Sequence, residues 1–309
     1  MDFESRRQRI LDKMEDNSIA ILYSGIEHHV SADEYDLFTA QANRNFFYLT
    51  GLRRDNMVLV LDKCVEPAKT MLFIEEADPT MERWYGRKVT MEEAEEISGI
   101  DEVEYIYELE STLDRIMTRE DVYTAYFDTY RHQKVDLPDY NVVKANEFKT
   151  DYPGIAVKNL FPLVAEERMQ KDEDEIELTQ KAIALTKDGL CNVMANLKPG
   201  MKEYQAQADF EYIIRRGGAE WTAFPTIAGS GMNGTMLHYD TNRETMEDGT
   251  LVLLDLGARI DGYNSDITRT YPVNGRFTER QKQVYDIVLA ANRKIVEAAK
   301  PGMTTKELN

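Results

Sequence analysis

The dipeptide Asp261-Gly262 is the feature of this sequence that most constrains its fold, because it is the strongest short signal for a two-residue β-hairpin turn. It lies between two strand-like runs, residues 251–257 and 266–273. With these two residues at the turn, Asp266 faces Gly257, and Asp255 lies diagonally across on the same face. The hairpin therefore predicts that two carboxylates converge.

These two carboxylates need a compensating group. Asp255 lies in LVLLDLG, an apolar run typical of a strand buried on both faces, where an unpaired carboxylate is costly or becomes neutral. In one interpretation, Asp255 caps a strand end and Asp266 pairs with Arg259 or Arg269. In the other, a cation lies between them, and hard oxygen ligands suit Mn²⁺, Mg²⁺ or one side of a two-metal site. We favour the metal.

His238 is the candidate catalytic residue, and it is the only histidine in the second half of the chain. A lone histidine is more often an ordinary packed side chain than a catalytic one. The glycine-rich approach GSGMNGTMLHY favours function, because it lets the backbone come close to a ligand.

The 309 residues predict an α/β fold in two domains, at 1–160 and 171–309. In the first, the runs SIAILYSG, MVLVLD and KTMLFIEE have the character of buried strands, with the aromatic stretch NFFYLTG between the first two. A capping box opens a helix at Thr90, a second helix is predicted around 109–117, and VYTAYF follows as a strand. Strands that alternate with helices indicate one α/β domain with a mixed sheet.

The second domain begins with a long helix predicted over 175–198 and a shorter one over 203–215. The sequence Lys-Pro-Gly-Met closes the first helix at Lys198 and recurs at Lys300, after a helix that a capping box at Thr278 opens. The recurrence is consistent with an internal duplication or with two similar helix stops.

Composition limits the partners. The chain has 56 acidic and 37 basic residues and a formal charge of −19, so its field repels nucleic acid and anionic membrane surfaces. Two distant cysteines, Cys64 and Cys191, argue against a disulfide scaffold or a zinc ribbon. The charged N-terminus is not typical of a signal peptide, and the sequence lacks an apolar run of membrane-spanning length. We expect a cytoplasmic protein.

The segments TIAGSGMNGTMLHYDTN and DGTLVLLDLGARIDGYNSDITRTYPVNGRFT resemble the metallopeptidase family of aminopeptidase P, prolidase, methionine aminopeptidase and creatinase. The stretch ANRNFFYLTG also resembles the N-terminal domain of aminopeptidase P and prolidase, so the resemblance spans the chain. It implies that residues 171–309 form the first half of a pita-bread catalytic domain.

The resemblance also implies the chemistry. Asp255 and Asp266 match the two aspartates that, with a later histidine and two later glutamates, hold two metal ions, usually Mn²⁺. His238 matches the histidine that assists the tetrahedral intermediate. The expected reaction is release of the N-terminal residue before proline from Xaa-Pro peptides, and a homo-oligomer is expected. The later ligands have no counterpart before Asn309, so we expect the 309-residue chain itself to be incomplete and inactive.

Three other functions remain open from the sequence. They are an Xaa-Pro dipeptidase of the prolidase type, a non-catalytic peptide-binding module, and metal-free hydrolysis of the creatinase type. Retention of both Asp255 and Asp266 argues against the last two.

Overall fold

A computed structural model of the chain describes residues 1–26, 29–31, 34–35, 43–119, 121–133 and 139–308. These residues form two compact units, Met1–Lys171 and Asp172–Asn309. Within the described ranges, none of the helices combines the length and the apolar character that crossing a bilayer requires.

The first unit is a mixed sheet with helices on both faces. Its strands are β1 (Ser18–Tyr23), β2 (His29–Ser31), β3 (Glu34–Tyr35), β4 (Val58–Asp62), β5 (Lys69–Ile74), β6 (Glu102–Tyr105), β7 (Thr124–Phe127) and β8 (Ala156–Asn159). Its helices are α1 (Phe3–Lys13), α2 (Arg44–Thr50), α3 (Pro79–Tyr85), α4 (Met91–Ser98), α5 (Leu109–Met117), α6 (Tyr140–Asp151) and α7 (Phe161–Met169). Six strands form one sheet in the order β6-β5-β4-β1-β7-β8, and β2 pairs with β3.

The central strands of the sheet in the first unit, β1, β4 and β7, are buried on both faces. In β4, Val58 and Val60 join the core that includes α5 and α6, whereas Leu59 and Leu61 join the core that includes α1, α2, α4 and α7. Every residue of β4 is buried. Because successive side chains of a strand point to opposite faces, a continuous apolar run supplies both cores. The prediction of buried strands here is confirmed.

The second unit contains two long helices followed by short antiparallel sheets. Its helices are α8 (Glu173–Asn196), α9 (Glu203–Arg216), α10 (Glu279–Ala298) and α11 (Thr305–Leu308). Its strands are β9 (Trp221–Thr222), β10 (Ile227–Ser230), β11 (Leu251–Leu256), β12 (Ala258–Ile260), β13 (Tyr263–Asn264) and β14 (Ile267–Pro272). The strand orders are β10-β11-β14 and β13-β12-β9.

The strand β11 is buried on one face only, which corrects the expectation that LVLLDLG is buried on both. Val252, Leu254 and Leu256 are fully buried and join a core with residues of α8 and α9. Leu253 and Asp255, on the other face, remain partly exposed. The helices α8 and α9 cover a single face of this sheet, so the apolar run carries half-exposed positions between its buried ones.

The capping boxes predicted at Thr90 and Thr278 are confirmed at the starts of α4 and α10. Both copies of Lys-Pro-Gly-Met follow a helix end and place their glycine in the same conformation, with φ 87° at Gly200 and 90° at Gly302. The two helices differ in burial, because α8 buries Leu190 and Val193 whereas none of the residues of α10 is buried.

Candidate active site

The predicted hairpin is confirmed. Its turn residues have positive φ, 47° at Asp261 and 81° at Gly262, as the favoured two-residue turn requires. The pairing register is constant on both sides of Gly257, since Leu256 pairs with Ile267 and Arg259 pairs with Asn264. This register places Asp266 opposite Gly257, so Asp255 and Asp266 lie on one face.

A close backbone approach lies at the middle of the hairpin. A Cβ atom on Gly257 would lie 1.9 Å from the carbonyl oxygen of Ser265, so only glycine fits there. Ser265 is buried, and its hydroxyl lies 2.7 Å from the hydroxyl of Thr186 in α8. The amide of Ala258 donates to both hydroxyl oxygens. The hairpin is therefore anchored to α8 next to Asp266.

The two carboxylates interact with each other. Loss of hydration raises the pKa of Asp266 above its ordinary value, and the negative charge of Asp255 and a hydrogen bond to Asp255 raise it further. Asp255 also accepts a hydrogen bond of 2.8 Å from the hydroxyl of Thr268, its partner across the strands. Two carboxylates that repel each other in this way favour a cation between them.

The arginines considered as partners for Asp266 have other contacts. Arg259 is buried, and it donates to the side chain of Asn264 and to the carbonyl of Ala223. Arg269 donates to the carbonyl of Thr268. The charge that acts on Asp266 is that of Asp255. The geometry therefore favours the metal interpretation over the ion-pair interpretation.

His238 shares one pocket with the two aspartates. The cavity has a volume of about 360 Å³ and is lined by Phe224, Pro225, Ile227, His238, Asp240, Asp255 and Asp266. His238 is itself exposed, on the segment that follows the 3₁₀ turn Gly231–Thr235. The structure thus brings together all three residues that the sequence singled out.

Sequence reasoning missed the apolar wall of this pocket and Asp240. Phe224, Pro225 and Ile227 lie on the segment that enters β10, and Ile227 pairs with Asp255 across the strands. Asp240 is two residues from His238, at the end of the turn that carries the histidine, and both side chains line the pocket. Its closeness in sequence to His238 was the available signal for Asp240.

The site fits part of a divalent metal centre. Asp255 and Asp266 supply two converging carboxylate groups, the oxygen ligands that hard divalent cations prefer. Within the described residues, no group of three or more His, Cys, Asp or Glu side chains is arranged to hold a metal ion. We therefore expect these two side chains alone to bind a metal ion weakly.

The fold and the paired carboxylates agree with the class of protein that the comparisons show, a metallopeptidase. Residues 177–309 match the family described as metallopeptidase family M24, and residues 3–126 match the aminopeptidase P N-terminal domain. The chain is 32% identical to the Xaa-Pro aminopeptidase of Escherichia coli over 99% of its own length and 70% of that protein. It is 31% identical to the Xaa-Pro aminopeptidase of Haemophilus influenzae, of which it covers 69%. The chain therefore belongs to the Xaa-Pro aminopeptidase family of metallopeptidases, and it is an enzyme of that class.

Solved structures that are similar to this chain support the same family. A Bacillus anthracis protein assigned to aminopeptidase P has a TM-score of 0.95 and 41% identity, covering 99% of this chain and 73% of that one. Zinc-substituted E. coli aminopeptidase P in complex with product has a TM-score of 0.87 and 32% identity, covering 99% and 70%. The predicted α/β fold with a mixed N-terminal sheet and a pita-bread catalytic unit is confirmed.

Proposed function

We propose that the protein with this sequence is an enzyme that removes the N-terminal residue from peptides with proline at the second position, by metal-assisted hydrolysis. The observation that carries the proposal is the convergence of Asp255 and Asp266 in one pocket with His238. The names of the relatives support the choice of substrate. Proline lacks the amide hydrogen that extended-backbone proteases bind, so its peptides need a dedicated pocket.

Asp255 and Asp266 would hold the metal, each through its carboxylate. A divalent ion held there would polarise the scissile carbonyl and activate water for attack. The hydrogen bond from Thr268 fixes one oxygen of Asp255, which orients that carboxylate towards the pocket. We propose Mn²⁺ as the native metal, because carboxylate oxygens suit it.

His238 would donate a hydrogen bond to the oxygen that becomes negative as the peptide bond is attacked. Its exposure at the pocket edge leaves the imidazole accessible to a bound peptide. The apolar wall of Phe224, Pro225 and Ile227 would contact the apolar part of the substrate and exclude water from its side of the pocket.

The proposal includes a cytoplasmic location and assembly into a homo-oligomer. Cys64 and Cys191 are both free thiols, which agrees with a reducing compartment.

The test is hydrolysis of a short Xaa-Pro peptide, with Mn²⁺, by the natural protein that carries this sequence and by its Asp266→Asn variant. We expect the variant to lose activity by about 10³-fold or more, because it removes a charged metal ligand. Asp261→Asn is the matched control. It removes a carboxylate from the same hairpin at a turn position that asparagine accepts, and it should retain activity.

Equal activity in the Asp266→Asn and Asp261→Asn variants would overturn the assignment of Asp266. A folded, Mn²⁺-supplied protein that cleaves no Xaa-Pro peptide would instead favour a peptide-binding module on the same fold.

A further inference from the structure

Glu203, at the first position of α9, is a fully buried carboxylate with an unusual number of hydrogen-bond donors. One oxygen, Oε1, accepts from the amide and the hydroxyl of Ser230, at 2.8 and 2.7 Å, and from the side chain of Asn233 at 3.2 Å. The other, Oε2, accepts from the hydroxyl of Tyr239 at 2.7 Å and from the amide of Glu244 at 3.0 Å. Every donor lies outside α9.

All of these donors belong to residues 230–244, the segment that carries His238. Ser230 ends β10, where the segment begins, and Tyr239 directly follows His238. The side-chain amide of Asn233 also donates to the hydroxyl of Tyr239 at 3.0 Å, so the two sides of the loop are joined directly as well as through Glu203. Glu203 therefore binds the loop both before and after the histidine.

The rest of the loop is packed tightly at its base and open at its tip. The base is close enough that a Cβ on Gly229 would lie 2.9 Å from the backbone of Asn233. Leu237, next to His238, is 88% exposed. The tip thus has little packing of its own, so the anchors at the base determine where His238 lies.

We propose that Glu203 is a positioning residue that fixes the His238 loop at the edge of the candidate active site. The role of His238 itself rests on the proposed function. Burial alone would raise the pKa of Glu203, yet the hydrogen bonds from Ser230, Tyr239 and Asn233 bring it below its ordinary value. The carboxylate is ionised at neutral pH, which allows both of its oxygens to accept.

Glutamine cannot replace this carboxylate. A glutamine has one acceptor oxygen, and its NH₂ group must face either the amide of Ser230 or the amide of Glu244. Both of these are backbone N–H groups that cannot become acceptors. Glu203→Gln therefore breaks one side of the loop anchorage in either orientation.

The matched control is Glu175→Gln. Glu175 is 3% exposed, lies in the first turn of α8, and accepts a hydrogen bond of 3.0 Å from the hydroxyl of Tyr263. It resembles Glu203 in residue type, burial and tyrosine partner. Its hydrogen bonds with the hydroxyl of Tyr263 and the backbone amide of Asp172 lie outside the His238 loop, so it reports the general effect of losing a buried carboxylate in this unit.

The experiment is NMR of the 309-residue chain with ¹³C-labelled histidine, combined with hydrogen exchange of residues 231–241. We expect Glu203→Gln to shift and broaden the His238 ring signal and to speed exchange in the loop by roughly 10-fold or more, because local opening becomes easier. Glu175→Gln should leave both unchanged. Tyr239→Phe, which removes a single hydroxyl, should shift the His238 signal without unfolding the chain.

The proposal is overturned if Glu203→Gln and Tyr239→Phe leave the His238 signal as in the wild type, or if Glu175→Gln moves it equally. In the natural protein, Glu203→Gln should lower kcat by roughly 10–100-fold with little change in KM, because a displaced donor fails in the transition state. Absence of hydrolysis in the wild type would count against the proposed function, whereas the NMR and exchange results would still decide the role of Glu203.

Discussion

The strands β4 and β11 have similar sequences but differ in function. Their residues are VLVLD in β4 and LVLLDL in β11, so each carries an aspartate near the end of an apolar run. In β4 the aspartate is Asp62, which is 1% exposed, whereas Asp255 of β11 is partly exposed beside a pocket. The two aspartates differ in the charged group that lies next to each of them.

Asp62 meets a cation from its own unit. One of its oxygens pairs with Arg119 at 2.7 Å, and the other accepts the amide of Cys64 at 2.9 Å. Asp255 meets Asp266, a second carboxylate. A buried carboxylate that its own fold neutralises is structural, whereas two carboxylates placed together leave a charge for a ligand to neutralise. The comparison therefore separates a structural aspartate from a candidate metal ligand.

The largest effect that we predict comes from Gly257→Ala, which disturbs the hairpin that follows β11 and leaves β4 unchanged. The added Cβ meets the Ser265 carbonyl oxygen at 1.9 Å, so the hairpin backbone must move. We expect a loss of about 3 kcal/mol in the free energy of unfolding, measured by urea denaturation, together with loss of Mn²⁺ binding. Gly154→Ala, where an added Cβ has no neighbour within 4 Å, is the control and should cost much less.

An intermediate effect should distinguish the two aspartates directly. Asp62→Asn removes the negative charge that pairs with Arg119, and we expect a loss of about 2 kcal/mol, below the value for a fully buried pair because Arg119 is 29% exposed. Asp255→Asn should leave the stability of the metal-free chain unchanged or slightly higher, since it removes a repulsion. Equal destabilisation by the two variants, in the same urea titration, would mean that Asp255 is also structural.

The smallest effect is a pH dependence at Asp266. Its pKa is raised in the folded protein, so the folded state binds a proton more readily than the unfolded state. Its charge therefore opposes folding as the pH rises above the ordinary value of 3.8, and it has no such effect below that value.

We expect Asp266→Asn to raise the Tm of the metal-free chain slightly at pH 7, and this difference to shrink as the pH approaches 4. Melting in EDTA across this pH range is the measurement. Added Mn²⁺ should reverse the order, because only the wild type gains stability from the ion. A lower Tm for the variant in EDTA would contradict repulsion between Asp255 and Asp266.

Local chemistry allowed much of this fold to be predicted. The Asp261-Gly262 turn and the capping boxes at Thr90 and Thr278 each depend on neighbours in sequence, and each is present. The convergence of Asp255 and Asp266 follows from the turn alone, because register is fixed once the turn is known.

Features that depend on distant packing could not be predicted in this way. The burial of β11 on a single face depends on where α8 and α9 lie, and an apolar run does not reveal that. The aromatic stretch between β1 and β4 forms α2, capped by Asn43 and ended at Gly51, although its composition also suits a strand. Glu203 is an ordinary first-turn glutamate in the sequence, and its donors are 27 to 41 residues away.

The constant register of the hairpin has a consequence for how this sequence can diverge. Side chains alternate between faces, so inserting one residue between Gly262 and Asp266 would turn Asp266 away from Asp255. A second inserted residue would return it to the shared face, displaced along the strand. An insertion or deletion of an odd number of residues in this hairpin therefore separates the two carboxylates. Relatives that keep the paired carboxylates should differ here by even numbers of residues.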